Sequence, residues 1–589
     1  MIRTAWLSLL VVVGANAVAE SRSAADEAFE NLAQEFLSDL PNFSPVAATL
    51  AGDHRADDRL DRVDAEARRR RTALYREYQE ALRAIDRSQL SRANQVDYEL
   101  LQHEVESSLW ALNVLQEWAW NPLVYVNTAG SAIYGLLARD FAPLPERLGN
   151  VAARLEQLPR FFEQARSSLQ PQRVPAVHAE TAVAQNQGIA TIIDAMVVPV
   201  LDGLTGDDRA RLEAAIATAR EALAQQQKWL ENTLKPEAKG NFRIGAALYD
   251  VKLAYALDSP LSRRDIQARA ELEYDRVRQE MYDVAKVVYA GLYPYTAFPD
   301  QPDEAYKQAV IRAALEQAYL RLPPADGIVD VAKAQLEQAT RFVIDNDIVS
   351  VPDDPVEIIL MPEFQRGVAF AYLDPPGPLD QGQSAFYAVS PLPEDWTDEQ
   401  VRSFLREYNL YSMQDLTIHE GVPGHYLQLS FSNRYPSALR SVFYSGPFVE
   451  GWAVYAERVM VDEGYLDGDP LMKLINLKWY LRAITNAIID AAIHVDGMTR
   501  EAAIKLMIEG GFQEEREAAG KWVRAQLTSA QLSTYFVGYQ EHVAMRRAVE
   551  AAWGEDFSLR RYHDAVLSYG SPPVKFVRAL ILGEPIPDD

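Results

Sequence analysis

Two of the eight histidines in the chain stand close together, in Thr417-Ile418-His419-Glu420-Gly421-Val422-Pro423-Gly424-His425, with a glutamate directly after the first. Imidazoles are common zinc ligands, and a glutamate beside a ligand histidine can serve as general base. In the familiar His-Glu-x-x-His arrangement the rings stand at i and i+4 on one helical face; here the second stands at i+6. Six residues of unbroken helix would carry it roughly 120° around the axis and about 9 Å along it, so a regular helix cannot bring both rings to one ion. Pro423 lacks a backbone donor and Gly424 tolerates unusual dihedrals. The sequence therefore predicts a distortion at Pro423-Gly424 that restores an effective i+4 relation.

A catalytic zinc usually has three protein ligands and one open position. Glu450, in Gly446-Pro447-Phe448-Val449-Glu450-Gly451-Trp452, follows His425 by 25 residues, room for one helix to end and a second to return. His419, His425 and Glu450 would then hold Zn2+, with Glu420 taking a proton from the attacking water and delivering it to the leaving amine. Glu457 is the rival ligand, or else the partner that orients a ligand histidine. Tyr535, Tyr539, His542 and Arg546 are spaced by four, three and four residues, which places them on one helical face. From that face Tyr535, or alternatively His494 from Ile493-His494-Val495, could donate to the oxyanion formed when water attacks an amide. His563 is a weaker candidate, and Trp118 and Trp120 read as packing.

The elements that must position these groups are mostly helices. Asp97 to Leu112, Glu146 to Leu158, Asp207 to Leu230 and Ser262 to Val288 carry apolar residues at three- and four-residue spacing, and Pro145 sits where a first turn needs no donor. Between Val351 and Pro393 the texture changes. Val356 to Leu360, Gly367 to Tyr372 and Ala385 to Val389 are short, β-branched or aromatic, and bounded by Pro, Gly and Asp, so they read as strands of a small sheet. Helical spacing resumes through Asp415 to Ser430, Phe448 to Val461, Pro470 to Ala492 and Glu501 to Ile508. The division expected is a signal peptide over 1–19, a mainly helical lobe over 20–350, and a small sheet with a helical catalytic lobe over 351–589.

Composition sets the outer limits. In 589 residues, 48% are hydrophobic and 24% charged, as in a packed soluble protein, and the net charge of −26 argues against nucleic acid as a partner. With no cysteine there are no disulfides, thiol nucleophiles, Cys-ligated zinc or lipid attachment through cysteine. Arg3, the apolar run Ala5 to Val13 and Ala17-Val18-Ala19 resemble a cleavable secretory signal. The expected location is periplasmic or secreted, without stable membrane insertion after cleavage.

The segment His419 to His425, the stretch Phe448 to Glu457, Asp490-Ala491-Ala492-Ile493-His494, Ser533-Thr534-Tyr535-Phe536-Val537-Gly538 and Phe557 to Pro573 resemble the bacterial family called domain of unknown function 885. That family is similar to the gluzincin metallopeptidases, the mostly helical group of oligopeptidases and angiotensin-converting-type dipeptidyl carboxypeptidases. The resemblance implies a mainly α, zincin-like helical clamshell with a small sheet beside the active-site helix. It implies His419, His425 and Glu450 as metal ligands, Glu420 as base, Tyr535 as oxyanion donor, and Ala385 to Val389 as a strand against which a substrate backbone could lie. The expected activity is zinc-dependent hydrolysis of peptide bonds in oligopeptides. The alternatives are a catalytically silent peptide-binding or envelope-scaffold protein and a metal-dependent cell-wall amidase.

Overall fold

The computed structural model describes residues 23–361, 370–380, 382–393 and 396–588; the expected signal peptide lies outside these, as do the first three residues of the expected strand Gly367 to Tyr372. The chain is mainly helical with one three-stranded sheet. Pro145 falls in the first turn of the helix Leu144–Ser168, as its missing donor predicts. That helix continues past Leu158 and through Pro159. An interior proline costs about 3 kcal/mol, whereas burying Phe161 and Phe162 just beyond it returns about 1.5–3 kcal/mol each. The apolar contact therefore carries the helix across the break.

The three largest apolar cores among the described residues set the frame. One joins residues between Val46 and Leu234. A larger one runs from Tyr249 to Val577 and includes helix α1 (Arg263–Leu292), whose N-terminus Ser262 and Asp265 close with reciprocal side-chain bonds. Residue 350 marks the approach to the sheet, but the large core has members on both sides of it. In the third, Phe29, Phe36, Tyr78 and Leu101 pack against Leu439, Phe576 and Ile586, folding the N-terminal helices onto the C-terminal half. Arg440 and Asp97 lock that contact with a buried 2.7 Å ion pair, and the same guanidinium donates to the carbonyls of Ala93 and Tyr569. Breaking such a pair on one side costs about 3–5 kcal/mol, because the remaining charge is stranded.

In the sheet, strand β1 (Val356–Leu360) runs parallel to β3 (Ala385–Val389), and β2 (Ala371–Asp374) runs antiparallel on its other side. The order β1-β3-β2 puts Ala385 to Val389 in the centre. The expectation that a substrate backbone lies along this strand is therefore corrected: its neighbours use both of its ladders. Among the described residues β2 is an edge strand beside the His-Glu segment, and its Leu373 amide, directed away from β3, donates to Glu420 Oε2 at 2.9 Å.

The loop joining β2 to β3 is tied to the N-terminal helices. Tyr134 donates to Asp374 at 2.5 Å, Arg139 bonds the Asp374 and Ser384 carbonyls, and the Leu379 amide donates to Ala51 O. His54 completes the tie, stacked on Phe141 at 3.6 Å between Asp57 at 2.9 Å and Asp380 at 3.1 Å. Partial burial lowers the His54 pKa, but hydrogen bonds to Asp380 and Asp57 outweigh it and hold the imidazolium up at about 9. A raised folded value means this tie stabilises fully below the unfolded histidine value of about 6.5 and is lost as pH rises through about 9. Thermal melts of wild type and His54→Gln from pH 6 to 10 should show the wild type losing more stability across that window, with the two curves converging at the alkaline end. Parallel curves would contradict the tie.

Candidate metal centre

The first histidine rides on helix α2 (Leu410–Glu420), capped by Asn409, whose side chain accepts from the amides of Tyr411 and Ser412. The helix stops after Glu420, and α3 (His425–Ser432) begins with the second histidine. The expected distortion is thus a complete interruption. Gly421 (φ −106°, ψ −109°) and Gly424 (φ −77°, ψ −133°) leave helical space, and the Val422–Pro423 peptide is cis. Gly424 is required by proximity: a Cβ there would lie 1.9 Å from the His419 carbonyl oxygen and 2.3 Å from that of Ile418. The Trp452 indole N–H holds the turn by donating to Pro423 O at 2.8 Å.

Trp452 belongs to α4 (Gly446–Asp462), which also carries Glu450 and Glu457. Helix α4 packs on α5 (Thr534–Trp553) with almost no space between the backbones. A Cβ on Gly451 would lie 2.3 Å from the Gly538 carbonyl carbon, and one on Gly538 would lie 2.0 Å from Pro447 O. This contact fixes the first turns of α4, and with them Glu450.

The result is convergence. One ligand atom from each of His419, His425 and Glu450 lies within 4.8 Å of the other two. Glu450 Oε2 stands 3.6 Å from His419 Nε2 and 3.5 Å from His425 Nε2, beyond ordinary hydrogen bonds, and that oxygen is buried without a partner. Zinc–nitrogen and zinc–oxygen bonds of about 2.1 Å at tetrahedral angles set donor atoms about 3.4 Å apart. Donor types, separations and the orphaned oxygen all fit a zinc ion.

The surroundings orient the donors. His419 Nδ1 meets Glu457 Oε1 at 2.5 Å, which leaves Nε2 facing the cluster. Behind Glu457 lies Asp415, pushed well above the carboxylate range by burial and by Glu457, and held by the Asn476 amide at 3.2 Å. Burial raises the Glu450 carboxyl, but the two imidazoles outweigh it and hold it well below the usual carboxylate range. Burial raises Glu420, opposed by the same imidazoles, and leaves it above its ordinary value beside the cluster.

The other expected site residues divide. Tyr535, in the first turn of α5, is half-buried, and its hydroxyl accepts from Arg524 at 3.1 Å, so its own proton is free to be donated. His494 is corrected. Its ring nitrogens lie 2.7–3.2 Å from the carbonyls of Phe242, Ala525 and Thr528, so it pins main chain and has no donor left for an oxyanion. Tyr539, His542 and Arg546 share one face as expected, but that face is used for packing: His542 bonds Phe448 O at 3.0 Å, Tyr539 lies on Tyr480, and Arg546 pairs with Glu550. His563 spans Tyr455 and Ile348 O. Trp118 and Trp120 bond nearby carbonyls within their own segment.

Sequence reasoning missed two participants. Asp415 lies one turn before His419, a spacing of four residues that signals a shared face. The Leu373 amide gave no signal, because any residue supplies one.

Fold and site together define a mainly helical protein with a small sheet and a half-buried two-histidine, one-glutamate cluster. The chain belongs to the family described as "Bacterial protein of unknown function (DUF885)", matched over residues 45–581. It is similar to a solved structure from Shewanella oneidensis described as "a putative lipoprotein of unknown function", with 34% identity, TM-score 0.79, and coverage of 94% of this chain and 99% of that one. A "putative lipoprotein" from Colwellia psychrerythraea has 17% identity and TM-score 0.76 over 95% of this chain and 99% of its own, a likeness that speaks for the fold alone. No curated protein matches the sequence.

Gly424→Ala tests the geometry of the turn. The added methyl must displace the His419 carbonyl, so the purified variant should keep its helical circular dichroism and lose at least tenfold in zinc affinity by competition with a chromogenic chelator. Unchanged affinity would show that the close approach does not set the cluster.

Proposed function

We propose that this protein is a gluzincin-type zinc peptidase that hydrolyses oligopeptides between the lobes of a helical clamshell. The observation that carries the reading is the convergence of His419 Nε2, His425 Nε2 and Glu450 Oε2, with Glu420 next in sequence and buried beside them. These three side chains would hold the metal. Bound zinc supplies Lewis acidity, which polarises a carbonyl and makes water a stronger acid.

The protein's own groups account for the proton movements. Glu420, its carboxyl raised by burial and its Oε2 oriented by the Leu373 amide, takes the proton from attacking water and passes it to the departing amine nitrogen. Tyr535, whose oxygen accepts from Arg524, would donate its own O–H to the developing oxyanion. One such donor is worth about 3–4 kcal/mol, some 100- to 1,000-fold in rate. Glu457 fixes the His419 tautomer. The β2 edge beside Glu420 replaces the central strand as the place for an extended substrate to pair.

A periplasmic or secreted location belongs to the same proposal. It is supported by the signal-like N-terminus and by the description of the Shewanella oneidensis relative as a "putative lipoprotein". Among the described residues no helix is long and apolar enough to cross a membrane.

Glu420→Gln keeps the shape and removes the base. Digestion of a mixed peptide library, read by mass spectrometry, should show chelator-sensitive cleavage by the wild type and at least a thousandfold loss in the variant at equal zinc content. Equal cleavage by both proteins would reject Glu420 as base, and no cleavage by zinc-loaded wild type would reject the peptidase reading.

A further inference from the structure

Among the described residues β2 pairs on one side only, and it is four residues long, ending at Asp374 before Pro375 and Pro376, which lack backbone donors. A strand so short and so placed takes little of its position from its own ladder. The rest comes from the N-terminal core. Helix Leu123–Leu137, whose Tyr125, Val126, Ala129 and Ile133 pack in that core, carries Tyr134, which donates to Asp374 Oδ2 at 2.5 Å. Arg139, just past the helix, reaches Asp374 Oδ1 at 3.2 Å and the Asp374 carbonyl at 2.6 Å. The same guanidinium donates to Ser384 O at 3.2 Å and lies 4.7 Å over the ring of Phe386, the residue opposite Asp374 in β3. Hydrogen bonds to an ionised partner are the strong ones, so the end of β2 is firmly clamped from outside its own sheet.

The clamped residue is the neighbour of the one that holds Glu420. Leu373 turns its amide away from β3 and donates to Glu420 Oε2 at 2.9 Å. Side chains alternate along a strand, so Leu373 packs into the apolar cluster under the sheet while Asp374 meets Tyr134 on the other side. Two hydrogen bonds and one peptide unit thus join the Tyr134 hydroxyl to the Glu420 carboxylate. The two ends belong to different cores. The helix of Tyr134 lies in the core between Val46 and Leu234, whereas Ile418, two residues before Glu420, lies in the core from Tyr249 to Val577. A shift of one core against the other would move Asp374, and with it the amide that Glu420 accepts from.

We propose that Tyr134 and Arg139, acting through Asp374, are positioning residues for Glu420: they hold β2 so that the Leu373 amide keeps the carboxylate aimed. The catalytic part of this rests on the peptidase reading. A strand that served only to pair substrate would, when loosened, raise KM; one that aims the base lowers kcat.

The test uses zinc-loaded full-length protein and two variants: Tyr134→Phe, which removes one hydroxyl, and Asp374→Ala, which removes the carboxylate. Hydrogen exchange read by mass spectrometry should show the Leu373 amide exchanging faster in both, at unchanged zinc affinity and helical circular dichroism. On a peptide that the wild type cleaves, kcat should fall roughly tenfold or more in each variant, with KM changing less than kcat. Adding Tyr134→Phe to Asp374→Ala should cost nothing further, because the tyrosine acts through that carboxylate. A loss confined to KM would make β2 a substrate-pairing edge only and overturn the positioning role, as would faster exchange with kcat unchanged. A fall in zinc affinity that matches the fall in kcat would move the effect to the metal centre and overturn it as well. Exchange at the wild-type rate in both variants overturns the clamp even if peptides are cleaved. If zinc-loaded wild type cleaves no peptide, the peptidase reading fails, and faster Leu373 exchange in both variants still upholds the tie between the N-terminal core and Glu420.

Discussion

The interruption between Glu420 and His425 is the constraint on which the site depends. Two imidazoles six residues apart cannot face one point from a continuous helix, and here they do so because α2 ends and α3 starts afresh within four residues. Gly424 lets the new helix begin against the His419 and Ile418 carbonyls at a distance no side chain would allow. Trp452 then ties the turn to α4, the helix that carries Glu450 and the Glu457 that orients His419. Two ligands, their orienting carboxylate and the third ligand are therefore held by one packing unit, and a shift in the turn would be felt by all of them.

Negative charge is concentrated around the two histidines. Glu420, Glu450, Glu457 and Asp415 cluster around His419 and His425, and all except Glu450 are buried to 8% exposure or less. Burial lowers the His419 imidazole, but the Glu450 and Glu457 carboxylates outweigh that and hold it well above its ordinary value. Burial and the neighbouring Glu457 drive Asp415 well above the usual carboxylate range. A divalent ion at the convergence point would offset most of the remaining charge and would satisfy Glu450 Oε2, which is buried without a donor. Coulomb energies at such separations are several kcal/mol even at an effective dielectric near 20, which is large against the net stability of a domain.

Much of this was legible in the sequence where a residue type has a single physical use at its position. Strands Val356–Leu360 and Ala385–Val389 fall where their β-branched and aromatic runs placed them, and helices Gly446–Asp462 and Pro470–Ala491 lie within two residues of their expected ends. The Pro-Gly pair announced a break, although its completeness depended on contacts with carbonyls that spacing does not reveal. The aromatic and basic face at Tyr539, His542 and Arg546 was real as a face, but the Gly451–Gly538 contact presses α5 onto α4 and gives it to packing. His494 was misread for a related reason: one histidine signals polar contact without saying whether the partner is a substrate or three main-chain carbonyls. Sheet order is set by the path of the chain rather than by strand composition, so the strand-like segment Ala385–Val389 is central and β2 lies at an edge of the described sheet.

X-ray absorption at the zinc edge, on protein purified without chelator and loaded with one equivalent of metal, addresses the convergence directly. The account predicts a shell of nitrogen and oxygen donors at about 2.0–2.1 Å with the outer-shell scattering of two imidazoles, reduced to one in His425→Ala. A spectrum without imidazole scattering, or one that His425→Ala leaves unchanged, would contradict it.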